Sequence, residues 1–374
     1  MSTTHYVDHW KRQSSGWKAL SPGLTRSHNG SFFGLSLYGG LGLGAVFRVD
    51  CLGRIDEVHA FHGPDGSVPR GSLIAGRHGW YYGTTAVGGD EGFGIVYALS
   101  ADGRMKRLHT FRGRDGAMPR GSLLEGADGN LYGTAAEGGA HGRGTVFRLV
   151  PGAGLTVLHH FSGRDGAAPQ GGLLQDRDGN LYGTTAVGGA QGRGTVFRLA
   201  PDGRLKTLHD FTGSDGAYPS RLVATEDGNL FGTTLYGGCT GLGTVFRITP
   251  RGRFSLLHQF QGHDGANPRA GLTRSCSGAL FGTTGEGGRH GSGTIFRLSE
   301  EGAVNLLYSF HGQEDGAHPY AGLILGGDAA LYGMTCTGGT RDEGMLFRAD
   351  DGGRVSSVAL RSGAARSAES VARV

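Results

Sequence analysis

The chain has 374 residues, 75 of them glycine, and its 36 basic and 32 acidic side chains leave a formal net charge of +4. The glycines follow no Gly-X-Y triplet, which excludes collagen, and a hydrophobic content of 37% argues against a disordered chain. The charges are scattered without long runs of one sign, so we expect no nucleic-acid partner.

Residues 1–16 lack the apolar core of a secretory signal. No segment approaches the roughly 18 consecutive apolar residues that a membrane helix needs. The four cysteines, Cys51, Cys239, Cys276 and Cys336, show no metal-ligand spacing and do not recur with the repeat described below. We therefore expect a cytoplasmic monomer with reduced thiols, no membrane partner, no metal and no other cofactor.

A motif made of an aromatic residue and a glycine, followed by small residues and a double glycine, recurs seven times. Its first glycine falls at Gly34, Gly83, Gly133, Gly183, Gly232, Gly282 and Gly333. The intervals are 49 to 51 residues. One such unit is too small to bury a core alone, so the units must bury it between neighbours in a tandem array.

The best-preserved unit predicts four strands, at 171–174, 181–185, 195–199 and 205–211. Asp178-Gly179-Asn180 and Pro201-Asp202-Gly203 form the turns after the first and third strands, and a glycine-rich loop follows the second. The unit shows no helical periodicity. The pattern predicts an all-β fold, a seven-bladed β-propeller with four antiparallel strands per blade, in one domain over residues 1–360.

An Asp-Gly-x-x-Pro linker joins successive units. It begins at Asp65, Asp115, Asp165, Asp215, Asp264 and Asp315. Because the first strand of a propeller blade lies at the axis and the fourth at the rim, each linker returns the chain from the rim to the centre. The linkers and the loops between second and third strands should therefore share one face of the disk.

The seventh unit lacks a clear fourth strand. Residues 354–360 do not carry the Leu-His-x-Phe pattern of the other fourth strands, whereas residues 6–10 resemble it, with Val7 and Trp10 at the Leu and Phe positions. We predict that residues 6–10 pair into the final blade and close the ring, with residues 354–360 as the alternative. Residues 361–374 are expected to form a disordered tail.

Four phrases recur in a fixed order: Leu-Tyr-Gly-Thr-Thr-x-x-Gly-Gly, Gly-Thr-Val-Phe-Arg-Leu, Leu-His-x-Phe and Asp-Gly-Ala-x-Pro. Over about residues 23 to 350 they resemble the GloVer-type tandem repeats of bacterial proteins. That resemblance implies a secreted or surface-anchored protein without an assigned activity, and the chain departs from it in showing no export signal or C-terminal anchor. As a stand-alone propeller it is also similar to the WD-repeat-type protein of toxoflavin (azapteridine toxin) biosynthesis, although the WD40 signature ending in Trp-Asp is absent.

Two sets of polar residues recur with the repeat. Histidines occupy the fourth strands at His59, His109, His159, His209 and His258. Arginines follow the third-strand aromatic residue at Arg48, Arg148, Arg198, Arg247, Arg297 and Arg348. Rotational symmetry places the histidines on different blades, too far apart to share a metal ion, and the repetition of the arginines favours a structural role. We interpret both sets as structural, with the arginines pairing between blades or with the linker aspartates.

Three sets of residues differ between units and should surround the channel mouth. The residue after the linker proline is Arg70, Arg120, Gln170, Ser220, Arg269 or Tyr320. The residue before the double glycine includes Tyr38, Glu137, Tyr236 and Glu286. The loop that follows includes Asp90, His141 and His290. Such differences also arise simply because exposed loop tips tolerate many side chains.

Arginine suits carboxylate or phosphate groups, tyrosine suits stacking, and a glutamate with a histidine suits proton transfer. We predict that Arg70, Arg120, Gln170, Arg269, Tyr320, Tyr38 and Tyr236 bind a small polar ligand or a partner protein. The alternative is an enzyme or accessory protein of azapteridine toxin biosynthesis acting on a heterocyclic intermediate. Its catalytic candidates are Glu137, Glu286, His141 and His290.

Overall fold

The computed structural model describes residues 23–50, 53–299, 302–339, 342, 344–358 and 361–362. Within these ranges the strands form seven sheets, each built from one sequence repeat, and the sheet of the first repeat gains one more strand, Arg361–Ser362, from the end of the chain. The predicted seven-bladed β-propeller with four antiparallel strands per blade is confirmed. The helical structure in these ranges is a 3₁₀ turn at Arg77–Gly79, so none of it could cross a membrane.

The inner two strands of each blade differ in length. The first strands, at the inner edge of each sheet, are Thr25–Arg26, Ile74–Ala75, Leu124–Glu125, Leu174–Gln175, Val223–Ala224, Thr273–Arg274 and Ile324–Leu325. The second strands are Phe32–Ser36, Trp80–Thr85, Leu131–Ala135, Leu181–Thr185, Leu230–Tyr236, Leu280–Thr284 and Leu331–Thr335. Blade 5 has an additional short strand at Ala217–Pro219, which pairs with its second strand.

The outer two strands complete each blade. The third strands are Ala45–Val49, Ile95–Ser100, Thr145–Val150, Thr195–Leu199, Thr244–Ile248, Thr294–Leu298 and Met345–Ala349. The fourth strands are Arg54–Ala60, Met105–Thr110, Gly154–His160, Leu205–Asp210, Phe254–Gln259, Val304–Ser309 and Val355–Ser357.

The recurring glycine of the second strand makes room for an aromatic ring. Gly183 faces Phe197 across the strand pair, and a Cβ added to Gly183 would lie 2.6 Å from the Phe197 ring. In this unit the second and third strands have the predicted bounds. The first strand is Leu174–Gln175, so it is shorter than the predicted 171–174 and ends one residue later. The carbonyl of Gly171, outside the strand, accepts a hydrogen bond from Thr134 Oγ1 of the preceding blade at 3.2 Å.

Aromatic side chains form the core between blades. Phe161, which follows the fourth strand of blade 3, packs edge-on against Phe197 of blade 4 with ring centroids 5.3 Å apart. The same contact recurs at Phe61–Tyr97, Phe111–Phe147, Phe211–Phe246, Phe260–Phe296 and Phe310–Phe347. Since these rings are buried, each contributes about 2 to 3 kcal/mol of hydrophobic stabilisation, and the blades hold one another in place.

Blades 1 and 7 close the ring through a mixed cluster in which Leu24 and Phe32 pack with Met334 and Leu346. Val355–Ser357 supplies the fourth strand of blade 7 by pairing with the third. Arg361–Ser362 then runs parallel to Arg54–Ile55 on the outside of blade 1, so the first two residues of the predicted tail form a strand. Residues 6–10 lie outside the described residues, and their part in closure stays a prediction.

The recurring histidines contact the linker aspartates. His159 Nε2 lies 2.7 Å from Asp165 Oδ2, while Asp165 Oδ1 accepts the Ser162 N–H at 2.8 Å. The equivalent pairs are His59–Asp65, His109–Asp115, His209–Asp215 and His258–Asp264, with Tyr308–Asp315 in blade 6. Although burial opposes the shift, the bonds from Ser162 and His159 lower the pKa of the Asp165 carboxyl.

The arginines of the third strands pair elsewhere. Arg48 contacts Asp56 of the adjacent fourth strand at 3.4 Å, and Arg348 contacts Asp328 of a turn at 2.8 Å. Arg297 lies over the ring of Phe281, 5.9 Å from its centre. Each of these three contacts lies within one blade. For Arg48, Arg297 and Arg348 the expected pairing between blades or with the linker aspartates is therefore wrong, since strand histidines, or Tyr308 in blade 6, contact those carboxylates.

Candidate functional site

Threonines of the second strands join neighbouring blades at the axis. Each donates its hydroxyl to a carbonyl at the start of the next blade. The acceptors are Gly121, Gly171, Ser220, Ala270 and Ala321, at 3.0 to 3.4 Å. These five carbonyls occupy equivalent positions in their blades. They can therefore be used to align the start of one blade with the start of the next.

The residue after each of these carbonyls is small in every compared blade but one. It is Ser122, Gly172, Gly271 or Gly322, and in blade 5 it is Arg221. A Cβ on Gly172 would lie 3.3 Å from Arg221 Cδ, so the arginine extends along the neighbouring blade. Desolvation by the surrounding protein lowers the pKa of Arg221, yet the residue remains exposed to water. Among the compared blades, Arg221 is therefore the one charged side chain at a position that is otherwise small.

Sequence comparison missed Arg221 because the units were aligned on the linker proline. In blade 5 the segment from Pro219 to Leu222 is one residue shorter than the segment from Pro169 to Leu173. Alignment on the leucine would have placed Arg221 beside Gly172 and shown it as an exception. The sequence therefore contains the evidence for Arg221, but the one-residue deletion in blade 5 shifts it out of alignment with the other units.

Arg70 and Arg120 form the basic part of the channel mouth, at the starts of blades 2 and 3. Arg120 is half-buried, its Nε has no hydrogen-bond partner, and its Nη2 lies 3.7 Å from Met118 Sδ. Burial and then the positive charge of Arg70 lower the pKa of Arg120, while Glu137 opposes the shift. Within the described residues neither guanidinium forms an ion pair with a carboxylate.

Arg269 and Tyr320 form a second part of the mouth, at blades 6 and 7. Arg269 Cζ lies 4.4 Å above the centre of the Tyr320 ring, a cation–π contact. The Tyr320 ring also lies beside His318, whose Nδ1 is 2.8 Å from the carbonyl of Gly285. Because a Cβ on Gly285 would come within 2.5 Å of the Tyr320 ring, the glycine leaves the space that this tyrosine occupies.

The residue before each linker proline is a further varied position at the mouth, which the sequence analysis did not single out. It adopts a positive φ of 51° to 57° in all six linkers, at Val68, Met118, Ala168, Tyr218, Asn267 and His318. The N–H donates to a loop carbonyl of the preceding blade, as Val68 does to Leu43 at 2.7 Å, and this bond holds the conformation. Glycine occupies most other positive-φ positions of the chain but none of these six, so each linker keeps a side chain here.

Three predicted ligand-binding residues lie exposed on this face. Tyr236 is 38% exposed and packs edge-on against Tyr218, 39% exposed, with centroids 5.7 Å apart. Tyr38 in blade 1 and Gln170 in blade 4 are also exposed. The mouth therefore offers aromatic surface from blade 5 as well as positive charge from blades 2, 3 and 6.

His141 and His290 do not reach the mouth. His141 lies near His160, at the end of an outermost strand, where it adds to the burial and the His159 charge that lower the pKa of His160. The ring of His290 stacks on His311, with centroids 4.2 Å apart, at the start of the next linker. Asp90 likewise pairs with Arg107 of a fourth strand at 2.7 Å. The expectation that this loop set surrounds the mouth is wrong, because the loop packs outward against the fourth strand.

The backbones of Glu137 and Glu286 pair with linker residues rather than with fourth strands. Glu137 influences Arg120 electrostatically, and the backbone of Glu286 pairs with Ala266 of the linker. Among the described residues, no hydrogen bond or ion pair joins either glutamate to His141 or His290. The structure thus does not assemble the four catalytic candidates into acid–base pairs, and their catalytic role stays a prediction.

A groove of about 470 Å³ lies on the opposite face, between blades 3 and 4. Its carboxylates already have partners, since Asp128 accepts the Tyr132 hydroxyl at 2.8 Å and Asp176 accepts the Tyr182 hydroxyl at 3.0 Å. These bonds lower the pKa of Asp176 against the effect of its burial. These two carboxylates therefore stabilise the turns of neighbouring blades, although the Nε of Arg148, which also lines the groove, is buried without a hydrogen-bond partner.

Comparison with known proteins agrees with the repeat and the fold. A model of the Gloeobacter/Verrucomicrobia repeat matches residues 1–176 and 124–347. A search of the curated proteins finds no match for this sequence.

Similar solved structures are propeller proteins of several kinds. The extracellular domain of a proposed one-component system from B. thetaiotaomicron is 12% identical with a TM-score of 0.59, over 88% of this chain and 38% of that one. A proposed 6-phosphogluconolactonase from Bacteroides fragilis is 17% identical with a TM-score of 0.57, over 92% and 95%. A puromycin-hydrolysing peptidase from Mycobacterium tuberculosis is 13% identical with a TM-score of 0.58, over 93% and 54%. The chain spans less than two thirds of the first and third proteins, and at these identities the likeness shows the fold alone.

Proposed function

This chain belongs to the Gloeobacter/Verrucomicrobia repeat family, and we propose that it binds a small molecule carrying a carboxylate or phosphate group at the mouth of its channel. The observation that carries the proposal is the Arg70–Arg120 pair. The two like charges lie close enough for Arg70 to lower the pKa of Arg120, and no ion pair within the described residues neutralises either of them. An anion between them would remove this repulsion.

The character of the arginines supports an anionic group rather than a neutral one. A guanidinium offers several N–H donors in a planar fork that matches two oxygens of a carboxylate or phosphate. The Arg269–Tyr320 contact adds a flat aromatic surface at the same mouth, which suits a ring or a sugar.

The repeat supplies a substitution that the scaffold already accepts. Gln170 occupies the position of Arg120 in blade 4, so Arg120→Gln removes the charge and keeps a side chain that this site accommodates. Losing a charged hydrogen bond costs about 1.5 to 3 kcal/mol, which corresponds to roughly a tenfold to hundredfold weaker affinity.

The test is a calorimetric titration of the full chain with citrate, inorganic phosphate, 6-phosphogluconate and pteridine-like heterocycles. We expect at least one anion to bind and to lose affinity in Arg120→Gln and Arg70→Gln. Arg164→Gln, which removes an exposed linker arginine, is the matched control and should bind normally. An equal loss in the control, or no anion binding at all, would contradict the proposal.

A protein partner is the second candidate. Exposed tyrosines are common at the centres of protein interfaces, and the Tyr218–Tyr236 pair presents two of them beside each other. Under this alternative, Tyr236→Ala abolishes capture of the partner while Arg120→Gln changes it little.

The enzyme alternative, a role in azapteridine biosynthesis, needs an acid or base at the mouth. Glu137 is a carboxylate that electrostatics connects to Arg120 there. Turnover of a heterocycle in the panel that Glu137→Gln abolishes without weakening its binding would favour this alternative. It would fit the cytoplasmic location that the sequence predicts.

A further inference from the structure

The His–Asp contact between fourth strand and linker is shared by blades 1 to 5, but blade 1 adds a second imidazole to it. The added residue is His62, three positions before the aspartate. The equivalent residues of blades 2 to 5 are Arg112, Ser162, Thr212 and Gln261. None of these four side chains offers a nitrogen ligand for a metal ion, so blade 1 is chemically different at a position where the scaffold tolerates many residues.

The three side chains of blade 1 converge on one point. Asp65 Oδ2 lies 2.9 Å from His59 Nε2 and 2.9 Å from His62 Nδ1. The ligand atoms of the three residues all lie within 4.8 Å of one another. The other carboxylate oxygen, Oδ1, accepts the backbone N–H of His62 at 2.6 Å, which fixes the orientation of the carboxylate.

We propose that His59, His62 and Asp65 bind a divalent transition-metal ion of the Zn²⁺ type. Two imidazole nitrogens and one carboxylate oxygen are ligands that Zn²⁺ takes at about 2.0 to 2.2 Å. Ligand atoms around a tetrahedral zinc ion are about 3.3 Å apart, so the two 2.9 Å contacts need to lengthen by only a few tenths of an ångström. The earlier expectation of no metal rested on distances between blades, whereas these ligands come from a single blade.

The surroundings leave the ion accessible. His62 is 60% exposed, so its ring can turn toward His59 Nε2, which lies within 4.8 Å of His62 Nδ1, and water can complete the coordination. Arg107 of the next blade donates to the carbonyl of Pro64, but Asp90 at 2.7 Å compensates its charge. The carboxylate orientation set by the backbone of His62 is the outer support that metal-binding residues commonly have.

The ligand types also predict selectivity. Imidazole suits Zn²⁺, Cu²⁺ and Ni²⁺, whereas Ca²⁺ and Mg²⁺ require oxygen ligands, of which this site offers one carboxylate. In blade 6, His311 and Asp315 are present but Tyr308 replaces the strand histidine. Among the described residues of that blade, His311 is the one imidazole in contact with the aspartate, and His290 stacks on the His311 ring with centroids 4.2 Å apart instead of contacting Asp315. Blade 6 should therefore bind Zn²⁺ more weakly.

The repeat provides both a loss and a gain of the site. In blade 3, Ser162 donates its N–H and its hydroxyl to Asp165 Oδ1, both at 2.8 Å. His62→Ser therefore gives blade 1 the arrangement of blade 3 and preserves the turn. Ser162→His gives blade 3 the arrangement of blade 1, with His159 and Asp165 already in place.

The experiment is calorimetric titration of the full chain with Zn²⁺ near neutral pH, with Ca²⁺ as a negative control. The wild type should bind one more ion than His62→Ser, and Ser162→His should bind one more than the wild type. Circular dichroism confirms that both variants are folded. Equal stoichiometry in the wild type and His62→Ser would overturn the proposal, and so would the absence of an added ion in Ser162→His, because the three residues are all that the proposal requires.

Discussion

Two glycines in one loop of blade 3 allow the energetic cost of a steric clash to be measured separately from the cost of a left-handed backbone conformation. Gly138 and Gly142 have similar positive φ angles, 74° and 66°. A Cβ on Gly138 would lie 2.3 Å from the carbonyl oxygen of Gly113 and 2.9 Å from the backbone nitrogen of Ala117, both in the incoming linker. A Cβ on Gly142 would have no atom within 4 Å. Alanine at either site meets the same conformational penalty, and at Gly138 it also meets backbone that cannot give way.

The magnitudes follow from this difference. A left-handed alanine costs about 1 to 2 kcal/mol, and the restricted unfolded chain returns about 0.4 to 1 kcal/mol, so Gly142→Ala should lose roughly 0.5 to 1 kcal/mol. Gly138→Ala adds the cost of overpacking, about 1 to 3 kcal/mol, for a total of about 2 to 4 kcal/mol. Urea unfolding of both variants, followed by circular dichroism, gives the comparison where each unfolds in a single transition. Equal losses in the two variants would refute the close approach of loop and linker.

Three further predictions concern the core, the linkers and pH. Phe161→Ala should destabilise the protein by about 3 to 5 kcal/mol in urea unfolding, with Phe161→Leu losing less, because the buried ring contacts Phe197 of the next blade. Val68→Asn should stabilise it by about 1 kcal/mol in the same assay, because asparagine tolerates the left-handed region better than a β-branched residue. The lowered pKa of Asp165 means that the folded chain binds this proton less readily than the unfolded chain does, so stability present above the ordinary value of 3.8 is lost as the pH falls through the folded pKa. Unfolding measured between neutral pH and about pH 3 should show this loss, and Asp165→Asn should reduce it.

The regular part of the fold was predictable because every repeat restates it. The bounds Leu181–Thr185 and Thr195–Leu199 followed from residue alternation and glycine turns, and neighbouring repeats supplied the same evidence. The first strands were not predictable at this precision, since the bond from Thr134 to Gly171 belongs to the contact between two blades. Local sequence carries no information about such a bond.

The candidate sites were predictable only in part, for physical reasons that differ. Arg70, Arg120 and Arg269 were found because their position varies beside an invariant proline. Arg221 was missed because a one-residue deletion shifts it relative to the other units. His62 was missed because the sequence does not show that His59 and His62 contact the same oxygen of Asp65. The loop histidines His141 and His290 were placed wrongly, since sequence position on a loop does not say which way the loop leans.

The contact between blades 1 and 7 distinguishes one interface of the ring from the other six. Six interfaces join repeats that are consecutive in the chain, so their contacts are local and cost little entropy to form. The cluster of Leu24 and Phe32 with Met334 and Leu346 joins residues about 300 positions apart, and Arg361–Ser362 crosses the same junction to blade 1. The contacts between residues most distant in sequence therefore lie at this one junction. An array growing from either end gains stability step by step, but it becomes a ring only when the last repeat meets the first.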